Sequence, residues 1–105
     1  MVSLVLISVN DGDQLRKAED LINNFKNEIF VTDMQTLKLL VNKKLLTKGF
    51  AGKLYVFNSS FPEEDSLKLF ALSKPDDVVV CDEAGRLEAF TRFVKRVSGL
   101  RILEC

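Results

Sequence analysis

Apolar and polar residues fall into two alternating kinds of block along this chain. Short, nearly continuous apolar runs are followed by longer stretches in which apolar residues return every three or four positions. Val2 to Val9 is such a run, rich in β-branched residues and without the alternation of a half-exposed strand, so it predicts a central strand covered on both faces. Asn10-Asp11-Gly12-Asp13 breaks it, and Asp11 with Gln14 offers a capping pair for a helix whose apolar stripe is Leu15, Ala18, Leu21, Ile22 and Phe25. Glu28 to Val31 predicts a second strand, with Thr32 or Asp33 capping a helix that faces inward through Met34, Leu37, Leu40, Val41 and Leu45. Lys38, Lys43, Lys44 and Lys48 lie towards the end of that helix, and Gly49 and Gly52 supply its stop.

Lys53 to Phe57 predicts a third strand. Asn58 to Pro62 then turns the chain, Ser60 and Glu63 form a capping box, and a short helix with the face Leu67, Phe70 and Ala71 ends at Lys74-Pro75. Asp77 to Cys81, with three consecutive valines, predicts a buried fourth strand. Asp82 can cap a last helix with the stripe Leu87, Phe90, Val94 and Val97, closed by Ser98-Gly99. Leu100 to Leu103 alternates, as a strand exposed on one face at a sheet edge would. Strands alternating with helices demand right-handed crossovers. The expectation is one α/β domain over residues 1–105: a three-layer α/β/α sandwich on a mostly parallel five-stranded sheet, Rossmann-like or flavodoxin-like.

Composition narrows the function more than the fold. The 105 residues carry 15 basic and 15 acidic side chains and no histidine. A cancelled charge gives no strong nucleic-acid signal, and the missing imidazole removes the commonest zinc ligand and general base. Neither a targeting pattern nor a run long enough to span a membrane is seen, so no membrane partner is expected. Two cysteines with no CxxC spacing do not form a disulfide framework, and the expectation is a reducing, cytoplasmic setting.

In a doubly wound sheet, ligands bind outside the carboxyl ends of the strands where strand order reverses. That rule selects Asn10, Asp11, Gly12, Asp33, Asn58, Ser59, Cys81, Asp82 and Glu83 as candidates. Asp11, Asp33 and Asp82 follow three different strands, and hard oxygen ligands suit magnesium, which would give a divalent-metal phosphoesterase or a PIN-like nuclease. Helix capping alone explains the same three residues in the same places. Neither GxGxxG nor GxxxxGK[ST] occurs, and acids at three helix starts repel phosphate, so no nucleotide cofactor is expected. Cys81, at a strand exit ahead of a helix, has the position of a catalytic nucleophile, against which stand two adjoining acids and its equally good reading as a small buried hydrophobe. Cys105, last in the sequence, is expected to be accessible.

In chain length and order of elements the sequence resembles the small DsrE/DsrH (TusB-like) sulfur-relay proteins. Gly52-Lys53-Leu54-Tyr55-Val56-Phe57 resembles their third strand. Val80-Cys81-Asp82-Glu83, followed by Leu87 and Phe93-Val94, resembles the DsrH-type strand, acid and helix. The resemblance implies a subunit of a homo- or hetero-oligomer that aids sulfur transfer for tRNA thiolation or sulfur oxidation. No cysteine here matches the sulfur-carrying position of the catalytic members, so the function expected is that of a non-catalytic binding or assembly subunit.

Overall fold

A computed structural model describes residues 2–46, 49–57, 62–97 and 99–105. Strand β1 (Ser3–Ser8) leads to helix α1 (Gln14–Asn24), β2 (Ile29–Thr32) to α2 (Met34–Asn42), β3 (Lys53–Val56) to α3 (Pro62–Ser73), and β4 (Asp77–Asp82) to α4 (Glu88–Arg96), before β5 (Arg101–Glu104) closes the chain. All four strand pairings are parallel, and the order is β3-β2-β1-β4-β5. The expected three-layer architecture is present, and the strand order places it with the Rossmann type rather than the flavodoxin type.

Burial follows from the apolar runs. β1 is buried at all six positions and β4 at its middle four, whereas β3 and β5 are mostly exposed. Continuous apolar strands can only be satisfied in the middle of a doubly covered sheet, so the two strongest runs pair with each other, Ser3 opposite Asp77 through Ser8 opposite Asp82. On one face Val5, Ile7, Val9, Phe30 and Val79 pack under Leu15, Ala18 and Ile22 of α1 and Leu40 of α2. On the other, Leu4, Leu6, Val31, Val78 and Val80 pack under Leu69 of α3 and Phe90 and Val94 of α4. Phe90 meets Phe57 edge-on, with ring centroids 5.4 Å apart.

Two helix faces differ from the sequence expectation. In α2 the buried residues are Thr36 and Leu40, while Met34 and Val41 are exposed. The cause is the cap: Asp33 accepts from the Thr36 amide, and the Thr36 hydroxyl is drawn onto the end of β1, which turns the helix about its axis. In α3, which is twelve residues long and not short, Ser66 and Leu69 are buried and Leu67 and Ala71 face outward. Ser73 tolerates the inward side because its hydroxyl donates to the Leu69 carbonyl at 2.6 Å.

Neither Gly49 nor Gly52 stops α2. The helix ends at Asn42 with Lys43 as its cap, after which Lys44 takes a left-handed φ of 55°. Gly52 is needed at the next strand instead. A Cβ there would lie 2.5 Å from the Glu28 carbonyl oxygen, so only glycine lets the chain enter β3 so close to β2. The Lys48 position and the Ser60 and Ser98 parts of the expected caps fall outside the described residues.

Candidate functional site

Strand order reverses between β1 and β4, so the crevice of this fold opens above the ends of those strands, beside the end of β2. The loop after β4 is pinned there by backbone bonds from Ala84 N–H to the Ser8 carbonyl and from Gly85 N–H to the Asp82 carbonyl. Gly85, at a φ of 76°, makes the turn that presents the next residue.

That residue is Arg86, and its side chain fills the crevice. Nε donates to Asp33 Oδ1 at 2.9 Å, Nη1 to Asn10 Oδ1 at 2.9 Å, and Nη2 to both the Val9 carbonyl at 2.7 Å and Thr36 Oγ1 at 3.2 Å. One planar guanidinium thus ties together the exits of β4, β1 and β2. Only Arg carries enough donors in a fixed fork to do so. Thr36 is the second hub. Fully buried, its hydroxyl donates to Asp33 Oδ2 at 2.7 Å while accepting from the Val9 amide at 3.1 Å.

The Asp33 side chain is 11% exposed. Burial alone would raise its pKa, yet hydrogen bonding from the Thr36 side chain and amide and from Arg86 holds it below the ordinary 3.8. Ser8 Oγ, buried beside this network, has no hydrogen-bond partner by geometry among the described residues, so Thr36 and Arg86 are the groups that hold the Asp33 carboxylate.

The other candidates are scattered. Asp11 is exposed, accepts from the Gly12 amide at 2.8 Å and lies 3.9 Å from Lys43 Nζ. The expected capping pair of Asp11 and Gln14 is replaced by a bond from the Asn10 amide to Gln14 Oε1 at 2.7 Å. Asp82 ends β4 and is not the N-cap of α4, a position held by Leu87; its Oδ1 accepts from the Leu87 amide at 3.2 Å across the intervening turn. Glu83 is paired with Lys17 of α1. Asn58 and Ser59 lie outside the described residues.

Asp11, Asp33 and Asp82 are not brought within ligand distance of one another. Among the described residues, the group close enough to share a cation is Cys81, Glu83 and Cys105. Cys81 is fully buried, and its sulfur is bonded to that of Cys105, with the two Cα atoms 5.3 Å apart. Spacing along the chain carries no sign of this pairing. A separation of 24 residues becomes adjacency only because β4 and β5 are neighbours.

Sequence reasoning missed Arg86 and Thr36. A lone Arg in a loop and a Thr in the first turn of a helix look like ordinary surface residues. The available signal was Gly85-Arg86 in the loop that follows the three-valine run, which gains meaning only once β1 is known to lie beside β4.

A second concavity lies away from the strand ends. Val31, Tyr55, Val56, Phe57, Leu69, Leu72 and Phe90, with Lys68 at the rim, line a cleft of about 270 Å³ between β3 and α3. Tyr55, Val56 and Leu72 are exposed there, Leu72 by 76%.

The fold and these two features define a Rossmann-type α/β domain whose switch point is occupied by its own arginine. Compared with family models, curated proteins and solved structures, the chain matches none. Among the described residues, no helix is long and apolar enough to cross a membrane.

Proposed function

We propose that this chain is a non-catalytic binding or assembly subunit that docks through the apolar surface along β3 and α3. The observation that carries this reading is the cleft lined by Tyr55, Val56 and Leu72, where apolar side chains stay in water. Exposed apolar clusters rimmed by a charge are a mark of protein–protein contact. The outer edge of β3 lies in the same place and offers unpaired backbone groups to a partner strand. The latched switch point supports the same reading, because a ligand entering there has to displace four hydrogen bonds of Arg86.

The DsrE/DsrH resemblance suggests the setting, a cytoplasmic sulfur-relay assembly in which this chain supports its partners. The divalent-metal alternative requires Asp11, Asp33 and Asp82 to leave their present partners and converge. A rise in melting temperature with millimolar magnesium would restore it.

Sedimentation velocity over a wide concentration range tests the docking surface. We expect a species heavier than the 11.9 kDa chain, returning to the monomer when Val56 and Leu72 are both replaced by Lys. A native chain that stays monomeric at the highest concentration, and captures no partner that the double variant fails to capture, would sink the proposal.

A further inference from the structure

The corner formed by Cys81, Glu83 and Cys105 has a chemistry that the docking surface does not use. Register places it: Val80 lies opposite Glu104, and the Cys105 amide donates to the Val80 carbonyl at 3.1 Å. The ladder therefore holds the two cysteines side by side through their backbones, whether or not their sulfurs are joined. Glu83 Oε1 stands 3.9 Å from Cys105 Sγ, and the three ligand atoms lie within 4.8 Å of one another. In a tetrahedral zinc site, metal–sulfur bonds of about 2.3 Å and metal–oxygen bonds of about 2.1 Å set neighbouring ligand atoms roughly 3.5 to 3.8 Å apart. Separating the sulfurs and turning the Glu83 carboxylate towards Cys81 by about 1 Å reaches that geometry.

Access and charge agree. Glu83 and Cys105 border an open cleft of about 330 Å³, with Val80, Asp82, Thr91 and Glu104 as its other walls, which leaves room for water as a fourth ligand. Two thiolates and a carboxylate, with Asp82 and Glu104 nearby, make a strongly negative corner. Lys17 on Glu83 and Lys95 on Glu104 are the cations that now offset it.

We propose that reduction of the Cys81–Cys105 bond turns this corner into a site for a soft divalent cation, zinc foremost, ligated by Cys81 Sγ, Cys105 Sγ and a Glu83 oxygen. The reductant is a dithiol. One of its thiolates attacks Cys105 Sγ, the exposed sulfur, and Cys81 leaves as thiolate. The second thiol then resolves the mixed disulfide, so the dithiol becomes a cyclic disulfide and two electrons reside on the cysteine pair. Metal binding displaces the thiol protons to solvent. Sulfur ligands select zinc over magnesium, so this site is distinct in kind from an aspartate cluster. In both states β5 stays fastened to β4, by a covalent bond when oxidised and by the cation when reduced.

Cobalt serves as the probe, because thiolate ligation gives it an intense charge-transfer band. Protein reduced with a phosphine should bind about one equivalent of cobalt per chain with that band, and zinc should bleach it. The oxidised protein should show no band. Cys105→Ser, at an exposed position, should abolish it, and Glu83→Gln should weaken binding by at least about tenfold. Zinc should also raise the melting temperature of the reduced chain. A reduced, folded chain without the band, a band that survives in Cys105→Ser, or a reduced chain that unfolds even with zinc present would each overturn the proposal.

Discussion

Arg86 is the residue on which the strand exits depend. Its partners include Asp33, a nearly buried carboxylate, and the Val9 carbonyl, neither of which finds water easily once the guanidinium is gone. Truncation to Ala should cost about 2 kcal/mol in urea unfolding, most of it from acceptors left unpaired. Arg86→Lys should recover less than half, since one ammonium cannot span groups on three loops. A variant as stable as the parent would show that the latch adds nothing. Asp33 makes a separate claim about acid. Its pKa is lower in the folded state than in the unfolded chain, so its stabilisation is complete above the unfolded value and drains away as pH falls through the folded one. Asp33→Asn should therefore lose stability at neutral pH and show a shallower loss of stability on acidification. An acid limb as steep as the parent's would assign that slope to other carboxylates. Residue types were readable from the sequence here, but only in part. Asp33 is identifiable as a cap from its position alone, whereas its ion pair with Arg86 joins residues 53 apart and depends on strand order.

At the level of elements, strands were more legible than helix faces. Each of the five apolar runs became a strand close to its expected limits, because a continuous apolar segment has few ways to be buried. Helices α2 and α3 have apolar residues on more than one side, so periodicity alone does not fix which side turns inward. Hydrogen bonding decided it in α2, where Thr36 was pulled to the sheet and Met34 and Val41 were left out. In α3 the outcome can be tested directly. Leu69 is 4% exposed and Leu67 is 59% exposed. Leu69→Ala should cost about 2 to 4 kcal/mol and Leu67→Ala less than about 0.5 kcal/mol. Equal losses would mean that α3 lies on the sheet through the face the sequence suggests.

The whole molecule combines a well-satisfied centre with an apolar flank. The order β3-β2-β1-β4-β5 was not readable from the chain, because periodicity reports which strands are buried but not which are neighbours. It follows partly from burial: the two most apolar strands take the centre and the two weakest the edges. If the flank along β3 and α3 docks a second copy, folding and association are linked by mass action, and the melting temperature should climb with protein concentration. A melting temperature unchanged over a hundredfold dilution, about 2.7 kcal/mol of linkage for a saturable partner, would count against a homo-oligomer.

The pairing of β1 with β4 has a further consequence, for the order in which the molecule assembles. β1, β2 and β3 are consecutive in sequence and in the sheet, so β1-α1-β2-α2-β3 can condense as soon as it has been synthesised. The other side of β1 has no partner until β4 arrives much later in the chain, Ser3 finding Asp77. A growing chain therefore holds its most apolar strand with one edge unpaired through most of its synthesis, the state in which parallel sheets are slow to complete and prone to aggregate. Closing that edge is a late step, and it is the same step that brings Arg86 over the strand exits; β5 then adds to β4 and sets Cys105 beside Cys81.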